Sequence, residues 1–165
     1  MSENIDPIAI AIQTEKDGIA FYEKAAKKTS HLFGKQMFQS FIEDEKRHIE
    51  ILEQISKEMD VPIDTEYSPR ERIKTIFERV SDQVTEHIAP TTDESEAINI
   101  ALQIENEGYT FYKKQAETHP EHGKVFDRLA KEESEHIFIL QNLSNYLNDT
   151  GHWFMYEEHQ MVDGG

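Results

Sequence analysis

Cysteine is absent from all 165 residues, which excludes disulfides, thiolate metal sites, iron–sulfur clusters and any thiol chemistry carried by this chain. Glycine and proline are scarce, at seven and five residues, too few for a fibrous, disordered or loop-rich chain. Long apolar runs are missing as well. Residues Met1 to Gln13 are acidic with a short Ile/Ala run, so neither a secretory signal nor a membrane span is expected there. Basic residues are outnumbered, 17 Lys and Arg against 33 Asp and Glu, for a formal charge of −16. Nucleic acid and anionic membranes are held by Lys and Arg, and both are disfavoured as partners. Such a charge attracts cations, and much of it serves solubility.

What remains reads as helix. Asp6-Pro7 opens the first, an N-cap followed by proline at the first helical position. Ile8, Ala11, Glu15, Gly18, Tyr22 and Ala25 then share one face. Lys27 and Lys28 suit the negative end of the dipole, and Thr29-Ser30 turns the chain. A second helix is predicted from about His31 to Met59, with Phe38, Phe41, Glu45, His48, Leu52 and Ile55 inward. Val61-Pro62 breaks the pattern. Ser68-Pro69-Arg70-Glu71 reads as a capping box for a third helix of about twenty residues, its apolar side carrying Ile73, Ile76, Phe77, Val80 and Val84. It should stop before Pro90. Thr91-Thr92-Asp93, with Glu96, reads as the cap of a fourth helix, Glu94 to about Thr118. After His119-Pro120 a fifth runs to about Leu147.

The second half repeats the first. At an offset of ninety, ten of nineteen positions from Ile8 to Ala26 are identical to Ile98 to Ala116. At an offset of eighty-eight, the second helix's inward stripe becomes Phe126, Leu129, Glu133, His136, Leu140 and Leu143. The chain therefore reads as one domain built from a duplicated helical hairpin: 6–60, a crossover 61–92, 93–148, and an aromatic-rich tail 149–165 that could lie along the bundle or a partner subunit.

An antiparallel hairpin levels residues equidistant from its turn. Glu15 and Glu45 are centred on the first turn, Glu105 and Glu133 on the second, so each hairpin sets a glutamate level with a Glu-x-x-His pair. If the hairpins pack apolar face to apolar face, Glu15, Glu45, His48, Glu105, Glu133 and His136 meet in one central layer. Four carboxylates that close cannot all ionise without cations, and two divalent ions would neutralise them. Oxygen and imidazole ligands without sulfur suit iron(II), manganese(II) or zinc.

These motifs, one Glu and one Glu-x-x-His repeated in order, resemble the ferritin-like superfamily and, within it, the rubrerythrin-type di-iron domain. The resemblance covers residues 8 to 147. It implies a ferritin-like four-helix bundle with a long crossover containing a fifth helix. It also implies two iron ions bridged and terminated by the glutamates, with one histidine for each, manganese or zinc being possible substitutes. A homodimer is expected from the resemblance and from the leftover apolar faces of the crossover helix and tail, and the expected compartment is the cytoplasm. Two departures matter. Rubrerythrins usually carry an iron centre on four cysteines, so here electrons must come from an external redox protein or from iron(II) itself. They also usually have an extra glutamate where this chain has Gly108, one tied to movement of an iron during peroxide turnover.

Gly18 and Gly108 each lie one turn from a proposed ligand, at a cost of about 1 kcal/mol against alanine. They read either as room for a bridging oxygen species or small oxidant, or as close helix packing. Tyr22 and Tyr112, two turns after Glu15 and Glu105, could hold a ligand carboxylate or supply an electron, or be plain core aromatics. Asp44 and Glu132, one turn before the histidines, read as outward hydrogen-bond partners or solvent-facing acids. His31, His87, His119, His122, His152 and His159 read as solvated or capping residues. Three functions are compatible with this: an oxidoreductase reducing hydrogen peroxide or dioxygen, a ferroxidase that oxidises iron(II) and passes it on to storage, and a non-catalytic, metal-stabilised helical module. A purely structural metal site tends to be closed, whereas two metals on four carboxylates and two imidazoles leave positions for water.

Overall fold

A computed structural model describes residues 6–29, 31–58, 66–81 and 92–150, with backbone alone at 81 and 146–150. The α-helices follow in chain order as α1 (Pro7–Lys28), α2 (Leu32–Ser56), α3 (Pro69–Ser81), α4 (Thr92–Thr118) and α5 (Gly123–Thr150), with a 3-10 turn at Pro120–His122. No strand occurs among the described residues, and the all-α expectation holds.

Local chemistry explains the helix ends. The Asp6 carboxylate accepts the Ile8 N–H at 3.0 Å, with Pro7 at the first helical position. At α2 the cap is His31, whose Nδ1 accepts the Phe33 N–H at 3.1 Å; the ring is fully buried, not solvated. The same helix stops at Ser56, short of the expected Met59, because Glu58 turns to a left-handed φ of 56°. Ser68 caps α3 as its box predicts, its Oγ accepting the Glu71 N–H at 3.3 Å. Ile73, Ile76, Phe77 and Val80 are all buried, while Val84, the stop before Pro90 and the tail lie outside the described residues. α4 begins at Thr92, so Asp93 sits inside the first turn, not at the cap, where an acid still suits the dipole.

α1 packs closely on α2, and α4 on α5, as two hairpins. Side chains show how they face each other. Glu15 meets Tyr112; seven residues further along α1, Tyr22 meets Glu105, seven residues back along α4. Asp44 meets His136 and, four residues on, His48 meets Glu132, four residues back. α1 is thus antiparallel to α4 and α2 to α5, the pattern a twofold between two like hairpins creates. It also makes α2 and α4 point the same way, so the chain must travel the length of the bundle between them. α3 lies on that route, against both α2 and α5.

Two apolar clusters cap the bundle's polar middle. One joins Phe33, Phe38 and Phe41 of α2 to Ile73 and Phe77 of α3 and Leu140 and Leu143 of α5. The other joins Leu52 and Ile55 to Phe126 and Leu129. Burying side chains of this size stabilises the fold by roughly 2 kcal/mol each, which offsets the cost of a charged layer between them.

Candidate metal centre

All six residues of the predicted layer are buried, and the structure brings them together. They form two overlapping groups. Glu15, Glu45, His48 and Glu133 place one ligand atom each within 4.8 Å of one another, as do Glu45, Glu105, Glu133 and His136. Glu45 and Glu133 belong to both. Each group therefore has one histidine and one glutamate of its own, and two carboxylates stand between them. Both imidazoles turn Nδ1 inward: that of His48 lies 3.7 Å from Glu15, 3.6 Å from Glu45 and 3.1 Å from Glu133. The Nδ1 of His136 lies 3.2 Å from Glu105 and 3.5 Å from Glu45.

The outer nitrogens meet carboxylates that the sequence left ambiguous. His136 Nε2 lies 2.8 Å from Asp44 Oδ2, and His48 Nε2 lies 3.1 Å from Glu132 Oε1. Asp44 and Glu132 are buried, which removes the solvent-facing alternative. Each holds the histidine of the opposite hairpin. A neutral ring donating from Nε2 keeps its lone pair on Nδ1, aimed at the cluster, which is how an outer carboxylate fixes the tautomer of a metal-binding histidine. Arginines balance these acids: Arg47 donates to Glu132, Arg128 lies 3.4 Å from it, and Arg72 lies 3.9 Å from Asp44. Tyr67, from the crossover, donates its hydroxyl to Asp44, and its carbonyl accepts from Arg128.

The tyrosines also cross between hairpins. Tyr22 donates to Glu105 Oε1 at 2.5 Å, and Tyr112 donates to Glu15 Oε1. Of the two readings, the carboxylate-holding one matches this geometry, although each tyrosine serves the other hairpin's glutamate. Burial, together with the Glu105 carboxylate beside it, pushes the Tyr22 phenol well above its usual range, so it stays a donor. The other histidines play lesser parts: His119 Nδ1 pairs with the Thr118 hydroxyl at 3.0 Å, His122 sits in the 3-10 turn, and His87, His152 and His159 lie outside the described residues.

Left to the protein's own groups, the cluster balances its charge with protons. Burial, reinforced by Glu105 and Glu45, raises the Glu133 carboxyl well above the usual carboxylate range. Burial acts the same way on Glu45, but the His136 and His48 imidazoles facing it outweigh burial and hold that carboxyl below the usual carboxylate range. Both imidazoles are raised: burial lowers them, and their carboxylate neighbours more than reverse it. Glu45 Oε1, Glu133 Oε1 and His48 Nδ1 are buried with no hydrogen-bond partner among the described residues. Three orphaned donor atoms pointing into one acidic space fit a cation, and oxygen with imidazole nitrogen fits iron, manganese or zinc.

The two glycines differ. A Cβ on Gly108 would lie 2.8 Å from Glu133 Oε2, whereas on Gly18 it would meet nothing nearer than Ile104 Cγ2 at 3.9 Å. Gly108 makes room for the shared carboxylate itself, a third reading beside the two predicted, and Gly18 shows no comparably close approach. Beside Gly108 a cleft of about 170 Å³ opens between α1 and α4, with Thr14 and Glu15 on one wall and Phe111 and Tyr112 on the other.

The fold and site define an all-α protein with a buried carboxylate–histidine centre shared between two like hairpins. A family model described as Rubrerythrin matches residues 6–144, and the chain belongs to the rubrerythrin family. No curated protein and no solved structure matches it. No helix among the described residues is long and apolar enough to cross a membrane.

Proposed function

We propose that this chain is a non-haem di-iron oxidoreductase of rubrerythrin type, passing electrons from an external donor to hydrogen peroxide or dioxygen. The observation that carries this reading is the sharing of Glu45 and Glu133 between two buried ligand groups, an arrangement suited to two cations side by side. Glu15 and His48 would complete one ligand set, Glu105 and His136 the other. When bound, iron supplies one-electron redox chemistry and open positions for a small oxidant.

The chain's own residues do the rest. Asp44 and Glu132 fix the two rings, and Tyr22 and Tyr112 hold one oxygen each of Glu105 and Glu15. The apolar clusters flank the layer on either side, and the cleft at Glu15 approaches it between α1 and α4. No cysteine in these 165 residues could hold a thiolate iron centre, and in this reading the electrons come from an external redox protein or from iron(II) itself. A second reading, oxidation of iron(II) for storage or delivery, draws support from the formal charge of −16, which attracts cations.

Stopped-flow mixing of anaerobically loaded, reduced protein with peroxide or with dioxygen separates them. Faster oxidation by peroxide, at two irons per chain, supports the peroxidase reading; equal or slower oxidation by peroxide removes it. Repeated turnover of excess iron(II) with retention of the product supports the second. Protein purified without added metal that holds less than about one ion per chain, or zinc alone, counts against both.

A further inference from the structure

The duplication makes the two halves of the centre near copies, yet they are not equally enclosed. Glu15 is 6% exposed, whereas its repeat mate Glu105 is 0% exposed. The cleft between α1 and α4 reaches Glu15 and runs past Gly108, where a Cβ would stand 2.8 Å from Glu133 Oε2. Turning the bundle about its internal twofold carries each lining residue onto its mate ninety positions away. Every lining position then meets an identical residue or one of like charge (Glu107 against Asp17), except one. That exception is Thr14, whose mate is Ile104. Thr14 turns its hydroxyl back to the Ile10 carbonyl at 2.9 Å, while Ile104 extends Cγ2 toward the space above Gly18.

We propose that this cleft is the entrance to the metal centre, admitting a divalent cation on the Glu15–His48 side, and that Thr14 keeps it open while Ile104 plugs the equivalent path to Glu105. The wall bears on chemistry as well as size: Glu107 stands at the cleft and Glu15 beneath it, so a cation passes from one carboxylate to the next. The inference rests on the metal-centre reading and adds the route by which the centre fills.

The test uses the full chain stripped of metal and mixed with cobalt(II), whose visible absorbance reports binding. Thr14→Ile should slow uptake at least tenfold with the final cobalt per chain unchanged, since neither residue 14 nor 104 supplies a ligand. Adding Ile104→Thr to that variant should restore the rate by opening the opposite path, and Thr14→Ser should leave it near wild type. Circular dichroism checks that all variants fold. Uptake by Thr14→Ile at the wild-type rate, or slow uptake that Ile104→Thr does not rescue, overturns the entrance. A wild-type chain that takes up no cobalt overturns the metal centre itself, and the entrance with it.

Discussion

At Gly108 the space a side chain would need is already taken by a carboxylate oxygen of Glu133, 2.8 Å from where a Cβ would stand. Alanine there must push Glu133 aside, so Gly108→Ala should weaken metal binding and slow oxidant turnover. Gly18→Ala meets no such obstacle and should raise thermal stability by up to about 1 kcal/mol through helix propensity alone. Chelator competition and thermal melts on the two variants check the contrast, and equal behaviour would refute it. Asp44 and Glu132 act one layer out. Asp44→Asn and Glu132→Gln should each cost 10–100-fold in metal affinity, as expected for removing a carboxylate behind a ligating histidine, measured by the same competition. The buried Glu/His layer was legible in the sequence because Glu45 and His48 interrupt an otherwise apolar stripe, and a second copy interrupts its own at the same places. Asp44 and Glu132 were legible only as one of two alternatives, hydrogen-bond partners or solvent-facing acids. One turn before an inward histidine lies the edge of the helix face, and only the close meeting of α2 and α5 side chains turns that edge inward.

Among the elements, the hairpins could be read from period and caps, but the crossover could be read only in part. The capping box and apolar stripe locate α3. Nothing periodic in residues 66–68 marks Tyr67 as the partner of Asp44, or Ser68 as the donor to Glu135 at 2.5 Å. Those contacts are long-range, and no local propensity encodes them. The start of α2 carries a pH dependence of its own. His31 caps the helix through an unprotonated Nδ1, and burial lowers its pKa from 6.5 to about 4 although Glu94 pulls the other way. The unfolded chain therefore binds this proton before the folded one does. Its contribution to stability is intact above pH 6.5 and drains away as pH falls toward 4, reaching about 2 kcal/mol lost by pH 5. His31→Asn keeps a capping acceptor without the titration, so urea unfolding between pH 7 and 5 should fall less steeply for the variant than for wild type. Parallel curves would refute the assignment.

For the molecule as a whole, the polar layer between two apolar clusters is where stability and metal meet. Four buried glutamates, Glu15, Glu45, Glu105 and Glu133, repel one another unless cations or protons intervene. Ions that bind the folded state and not the unfolded one add stability by mass action, about 2.7 kcal/mol at a hundredfold excess over the dissociation constant. Chelation should therefore lower the melting temperature by several degrees, and iron(II) under anaerobic conditions should restore it. An unchanged melt would argue that no metal is held.

The cross-pairing of the hairpins also bears on assembly. Tyr22 holds Glu105, Tyr112 holds Glu15, Asp44 holds His136 and Glu132 holds His48; each hairpin's tyrosine and outer carboxylate serve the other hairpin's glutamate and histidine. A lone hairpin would have half a site and lack these four cross-hairpin supports, which a second copy of it would supply. Joining the two hairpins in one polypeptide fixes that pairing and lets the halves differ, as Thr14 and Ile104 do. Cutting the chain in the crossover should leave two peptides that bind cobalt weakly apart and regain the intact chain's spectrum when mixed.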